Sequence, residues 1–214
     1  MRRMLAVMAI LLAGSIGFLA QRSGAQSAPA VTPQPATGQE VATFAGGCFW
    51  CVEADFDKID GVIHTTSGFM GGHTKSPTYR QVVTNTTGHL EVVQVIFDPK
   101  KVSYEKLLSA FWRSVDPYDD GGQFCDRGDS YRTAVFTHTD EQKRIADASK
   151  AELDKNGPLK KPLVTRILPA SEFTAAEEYH QDFYKKDPGR YFPYRIGCGR
   201  DQRIEQVWGK KITN

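Results

Sequence analysis

The sequence predicts an α+β fold, a two-layer split-βαβ (ferredoxin-like) sandwich with added helices and an irregular C-terminal segment. Apolar runs of strand length and stretches of helical period follow one another as β-α-β-β-α-β. A chain of 214 residues with 40% hydrophobic content can bury one sizeable core. No internal repeat divides it.

Val41–Ala45 reads as a short strand, followed by a Gly46-Gly47 turn. A helix from about Cys48 to Lys58 comes next, with Phe49, Val52, Phe56 and Ile59 spaced for one buried face. Val62–Phe69 is a second strand, Gly71 to Gly88 a glycine-rich polar loop, and Leu90–Asp98 a long strand. Ser103 can cap a helix through Val115 that turns Leu107, Leu108, Phe111 and Val115 inward. Arg132–Thr137 is a strand, and Thr139 to Gln142 is a capping box that opens another helix. Leu163–Pro169 and a helix from about Ala175 to Lys185 complete the body.

The N-terminus stands apart. Arg2 and Arg3 precede an apolar run from Met4 to Ala20, and Ser23-Gly24-Ala25 offers small residues for cleavage. Residues 1–25 are therefore expected to be a signal peptide, with a periplasmic or otherwise exported destination. The alternative is a membrane anchor formed by the uncleaved segment, for which the run is short. Residues 26–40, rich in Ala, Pro, Ser, Thr and Gln, read as a flexible linker, and residues 41–214 as the catalytic domain. Cleavage takes the formal charge from +2 to −1, because Arg2, Arg3 and Arg22 leave and no acid does. A balance so near neutral, with no basic cluster, argues against nucleic acid or an anionic membrane surface as partner.

The chemistry concentrates in "GGCFWCVEADF", residues 46–56. A cysteine opening a helix meets unpaired N–H groups and the positive end of the dipole, which favour a thiolate. Cys48 is the expected nucleophile, with a lowered pKa. Cys51, one turn deeper among apolar neighbours, lies beyond that field. The Gly46-Gly47 pair is read as letting backbone approach a ligand, with no packing need. The plainer reading makes both cysteines small buried hydrophobes.

"GGCFWCVEADF", "SPTYRQV", "TGHLEV", "CDRGDSYRTAVF" and "EYHQDFY", in that order, resemble peptide methionine sulfoxide reductase of the A class from about Val41 to the Trp208 region. The resemblance implies that Cys48 attacks the sulfur of an (S)-methionine sulfoxide, free or in proteins, and becomes a sulfenic acid as methionine leaves. Glu91 matches the family's general acid. Its strand parity with Val93, Val95 and Phe97 would bury the carboxyl and keep it protonated. Tyr79 and Tyr131 match phenol donors to the sulfoxide oxygen, with Asp126 in the polar network. Phe49 and Trp50 match the wall that receives the S-methyl group. His180 reads as a helix-packing residue outside the catalytic set.

Many relatives carry Gly where this chain has Cys51. Cys198, between two glycines in "RIGCGRD", is the resolving candidate because flexible flanks let a thiol swing toward a sulfenic sulfur and then toward a reductant. Cys51 and Cys125 are the alternatives, either forming a first disulfide before Cys198 takes over. A thioredoxin-like protein would recycle the enzyme, and no cofactor is implied.

Two other functions compete. Cys48 to Cys51 has the spacing of a thioredoxin-like dithiol oxidoreductase, which Cys51→Ser would abolish. A non-catalytic module could present Trp50 and the glycine-rich loop to peptides, and Cys48→Ser would then change nothing. A metal is not expected: only one C-x2-C pair exists, and His64, His73, His89, His138 and His180 show no ligand spacing.

Overall fold

The computed structural model describes residues 28–209. Its core is a six-stranded sheet with helices on one face. The first elements are β1 (Glu40–Gly46), α1 (Phe49–Phe56), β2 (Val62–Met70), the one-turn α2 (Tyr79–Val82), β3 (Leu90–Phe97) and α3 (Tyr104–Trp112). A small hairpin follows, β4 (Gly122–Gln123) and β5 (Asp126–Arg127), then β6 (Thr133–Thr137), α4 (Asp140–Asn156), β7 (Arg166–Pro169) and β8 (Thr174–Ala175). The chain ends in α5 (Phe183–Lys186), α6 (Pro188–Gly197) and α7 (Arg200–Trp208).

The sheet order is β7-β6-β1-β3-β2-β8. Its centre, β6-β1-β3-β2, is antiparallel throughout, the arrangement a split βαβ pair requires. β7 adds parallel to β6 at one edge, and β8 adds antiparallel to β2 at the other. Strand alternation sends Phe44, Val93, Val95 and Phe97 into one core with Phe49, Val52 and Phe56 of α1 and Leu107, Leu108 and Phe111 of α3. Phe44 stacks on both Phe56 (4.9 Å) and Phe111 (5.1 Å), which ties the two helices to the sheet centre. The opposite face buries Met70, Leu90, Val92 and Phe136 under Leu168, Ala170 and Phe173.

The C-terminal third departs from the sequence reading. The helix expected over Ala175–Lys185 is absent: the segment is β8, a 3-10 turn at Glu178–His180, and then α5. Gln181 explains why. Its side chain takes the Ser67 N–H (2.8 Å) and donates to the Ser67 and Ala176 carbonyls (2.9 and 3.1 Å), serving β2 in place of a backbone strand. The segment expected to be irregular instead holds α6 and α7. Asp187 caps α6 by accepting from the Arg190 N–H (3.1 Å), with Pro188 at the first helical position.

The expected signal peptide, residues 1–25, lies outside the described residues. Within the expected linker, residues 28–30 run beside Ala176 and Glu177, with the Ala30 N–H on the Ala176 carbonyl (3.0 Å). Among the described residues no helix is long and apolar enough to cross a membrane.

One buried acid predicts a stability effect. Glu53 of α1 is 1% exposed, and burial beside Asp182 and Asp57 pushes its pKa up to about 8. A carboxyl whose folded pKa is raised favours folding when protonated, and that contribution is lost as pH rises through the folded pKa. Glu53→Gln should therefore stabilise the protein by roughly 1–3 kcal/mol at pH 8, and by much less at pH 5. Thermal melts at the two pH values check the sign.

Candidate active site

α1 begins one residue after Cys48, so the sulfur sits at the helix N-cap as the sequence implies. The two glycines before it serve packing, contrary to the reading that reserved them for a ligand. A Cβ on Gly46 would meet Val52 at 2.8 Å, and one on Gly47, whose φ is +77°, would meet Gln123 at 2.5 Å. Gln123 is fully buried and bonds the Asp116 N–H and carbonyl (2.9 and 2.8 Å). It thereby fixes the β4–β5 hairpin against the entrance to α1.

A cavity of about 50 Å³ is lined by Cys48, Phe49, Trp50, Tyr79, Glu91, Asp126, Tyr131 and Tyr194. Seven of these eight are residues the sequence singled out. The volume suits a small head group of a few heavy atoms, so the chain bearing it must stay outside. A larger groove of about 740 Å³ lies between α1, α6 and α7 and contains none of them.

Glu91, the second residue of β3, is 1% exposed and faces α1. Its Oε2 accepts the Phe49 N–H at 3.0 Å, the first free donor of the helix. Burial nevertheless dominates and, with Asp126 nearby, holds its pKa well above the usual carboxylate range. Tyr79, at the start of α2, and Tyr131, in a 3-10 turn (Asp129–Tyr131), hydrogen-bond each other. Burial and the Glu91 charge raise both phenols, so they remain donors at neutral pH. Trp50 is held by its indole N–H donating to His180 Nδ1 (3.0 Å) and by stacking on Phe183 at 3.8 Å. His180 sits in a 3-10 turn and not on a helix, and its neutral ring also packs on Tyr79 (4.4 Å) and Phe49 (5.0 Å). Burial lowers it to about 4.

The cysteine electrostatics reverse the sequence expectation. Burial, the hydrogen-bonded Cys51 and the Glu91 charge push the Cys48 thiol up, against a hydrogen bond from Tyr194. Cys51 is lowered to about 7 by its hydrogen bond with Cys48 and by Arg200 and Arg195, against burial. Arg200 is 1% exposed and clamps the Gly46 carbonyl (3.1 Å) and the Ser114 carbonyl (2.9 Å). Cys51 thus faces guanidinium groups, not only apolar neighbours.

Cys125 and Cys198 form a disulfide, while Cys48 and Cys51 are free. Cys125 occupies the tip of the two-residue β4–β5 turn, which Phe124 enters with φ +56°. Cys198 ends α6, and its sulfur lies 3.9 Å from Asp126 Oδ2. It therefore flanks the cavity without lining it.

Sequence reasoning missed Tyr194 and Arg200. Tyr194 precedes Cys198 by one helical turn, and its hydroxyl contacts both Asp126 Oδ2 and the Cys48 sulfur. Since α6 was not foreseen, no periodicity aimed this residue at Cys48. Of the influences on the Cys48 thiol, the Tyr194 hydrogen bond is one that pulls it down. Tyr194→Phe should raise the Cys48 pKa and slow its reaction about ten- to hundredfold near neutral pH. The pH dependence of Cys48 alkylation measures this, and an unchanged profile would remove Tyr194 from the site's chemistry.

The signature of the peptide methionine sulfoxide reductase family matches residues 40–212, nearly all of the chain beyond its N-terminal segment. The chain belongs to that family. Peptide methionine sulfoxide reductase MsrA of Bacillus licheniformis is 54% identical over 173 residues, covering 81% of this chain and 96% of that protein. Methionine sulfoxide reductase A of Corynebacterium diphtheriae superposes with a TM-score of 0.65 at 30% identity, covering 76% of this chain and 87% of that one. Reduced Mxr1 of Saccharomyces cerevisiae gives 0.67 at 28%, covering 72% and 90%. The same yeast protein in complex with Trx2 gives 0.50 at 21%, covering 71% and 90%, a likeness of fold. As a methionine sulfoxide reductase, the protein is an oxidoreductase that reduces methionine sulfoxide with thiols.

Proposed function

We propose that this reductase acts on (S)-methionine sulfoxide, free or in proteins, with Cys48 as nucleophile and Glu91 as acid. The observation that carries the reading is a buried carboxyl, biased toward its protonated form, and a cysteine sulfur lining one small cavity with two phenols and Trp50. The Cys48 thiolate attacks the sulfoxide sulfur, and the oxygen passes to Cys48 as its bond to the methionine sulfur breaks. Glu91 supplies the proton, and the products are Cys48 sulfenic acid and methionine. Tyr79 and Tyr131 donate to the oxygen while charge develops on it. Phe49 and Trp50 exclude water from the methyl side.

Resolution follows from proximity. Cys51, hydrogen-bonded to Cys48, attacks the sulfenic sulfur and expels water, leaving a Cys48–Cys51 disulfide. The Cys198 thiolate then attacks the Cys48 sulfur and displaces Cys51, whose departing charge is favoured by Arg200 and Arg195. Cys125 attacks Cys198, frees Cys48, and closes Cys125–Cys198, the disulfide present in the structure. A thioredoxin-like dithiol protein reduces that disulfide, consistent with the yeast relative solved with Trx2. The N-terminal pattern supports export to the periplasm or an equivalent space, where such a donor must itself be recharged across the membrane.

Offering a racemic methionine sulfoxide peptide with dithiothreitol and separating the epimers tests the substrate assignment. Consumption of the S epimer alone is expected. Loss of both at equal rates, or of R alone, would overturn it.

A further inference from the structure

We infer that the reductant attacks this protein at Cys125, with Cys198 as the leaving group. The inference rests on the thioredoxin-like recycling proposed above. The two sulfurs of the exposed disulfide are not equivalent. Cys125 is exposed at a hairpin tip, whereas Cys198 is half-buried with its sulfur toward Asp126. An incoming thiolate must align with the S–S bond, opposite the departing sulfur, and Cys125 is the more exposed of the two cysteines.

The departing sulfur is prepared to carry charge. The backbone N–H of Cys125 already donates to Cys198 Sγ at 3.1 Å. Asp126 stands 3.9 Å away, its carboxyl biased toward the protonated form by burial, which lessens its repulsion of a thiolate there. A thiolate freed at Cys198 keeps the amide hydrogen bond, and it is released beside the Cys48 cavity. The reverse attack would release Cys125 into solvent at the hairpin tip and leave the donor attached to the sulfur that must next face Cys48.

The surface around the disulfide leaves room for the partner. A Cβ built on Gly197 or Gly199 meets no heavy atom within 4 Å, and Ile196 beside them is 76% exposed. A partner of thioredoxin type, presenting a nucleophilic cysteine on an apolar face, fits such a site. The electron balance is complete. The first donor thiolate bonds Cys125 and breaks Cys125–Cys198. The second donor thiolate then bonds the first donor sulfur and releases Cys125, so that the dithiol is oxidised and both enzyme cysteines are reduced.

The test mixes the oxidised mature protein with a thioredoxin whose second active-site cysteine is replaced by serine. An acid quench, capping with N-ethylmaleimide and peptide mapping without reduction locate the link. Donor joined to Cys125, with the maleimide on Cys198, is the expected product in at least tenfold excess. Donor joined to Cys198, Cys51 or Cys48 overturns the inference, as does no adduct under conditions where unmodified thioredoxin reduces the disulfide. Methionine formation by the pre-reduced protein, assayed alongside, reports separately whether the reductase reading stands.

Discussion

Glu91→Gln should lower the single-turnover rate of methionine formation by about 10²- to 10⁴-fold, the range for losing a positioned general acid. Glutamine can still accept the Phe49 N–H that Oε2 accepts at 3.0 Å, so α1 and Cys48 should keep their places. What disappears is a proton that can follow the sulfoxide oxygen. The pH profile distinguishes this from a loss of shape. The wild-type step needs the acid form of Glu91, whose pKa is raised, so its rate should fall on the alkaline side as that carboxyl ionises. The variant should lose this falling limb. Alkylation of Cys48 should also begin at lower pH in the variant, because the Glu91 charge is one of the influences raising that thiol. A variant rate within threefold of wild type would assign the proton to another donor, with Tyr79 and Tyr131 next in reach.

Cys198→Ser should stop thioredoxin-supported turnover, to below about 1% of wild type, while sparing the first chemical step. The reason is access. Cys48 and Cys51 are 7% and 1% exposed, so a disulfide between them is closed to a protein reductant. Cys198, one helical turn from Tyr194 and 3.9 Å from Asp126, is the thiol placed to carry the oxidation outward to Cys125. Steady-state assays with thioredoxin, set beside a burst measured without any reductant, separate the two steps. Undiminished thioredoxin turnover would give the outward transfer to Cys125 directly from Cys51 or Cys48.

Much of the site was legible because local pattern and tertiary placement agree there. The parity of Glu91 with Val93, Val95 and Phe97 is a property of one strand, and β3 buries that face against α1. The placement of Cys48 at a helix start likewise follows from a short segment. Its pKa did not follow, because the burial around it and the Glu91 carboxyl brought in from β3 are products of the whole fold. The lost helix over Ala175–Lys185 has the same cause. Gln181 is a sound helix former, but Ser67 of β2, 114 residues away, offers its amide two hydrogen bonds that no local window contains. Tyr194 was hidden because α6 was read as irregular, although Asp187 and Pro188 carry a helix-start signal. The Cys125–Cys198 pairing joins a hairpin tip to a helix end 73 residues away, and spacing alone cannot report it.

The relay is tested most directly by counting. Fully reduced mature protein, freed of reductant, is mixed with excess (S)-methionine sulfoxide peptide. Methionine and remaining thiols are measured per chain, and the disulfides are mapped. The first oxidation should move to Cys125–Cys198 and regenerate Cys48, so a second should end at Cys48–Cys51. The account therefore predicts two methionines per chain, loss of all four thiols, and one methionine from Cys198→Ser. A single methionine from the wild type, with the disulfide at Cys48–Cys51, would contradict the transfer to Cys198. No methionine and four intact thiols would contradict the assignment of Cys48 altogether.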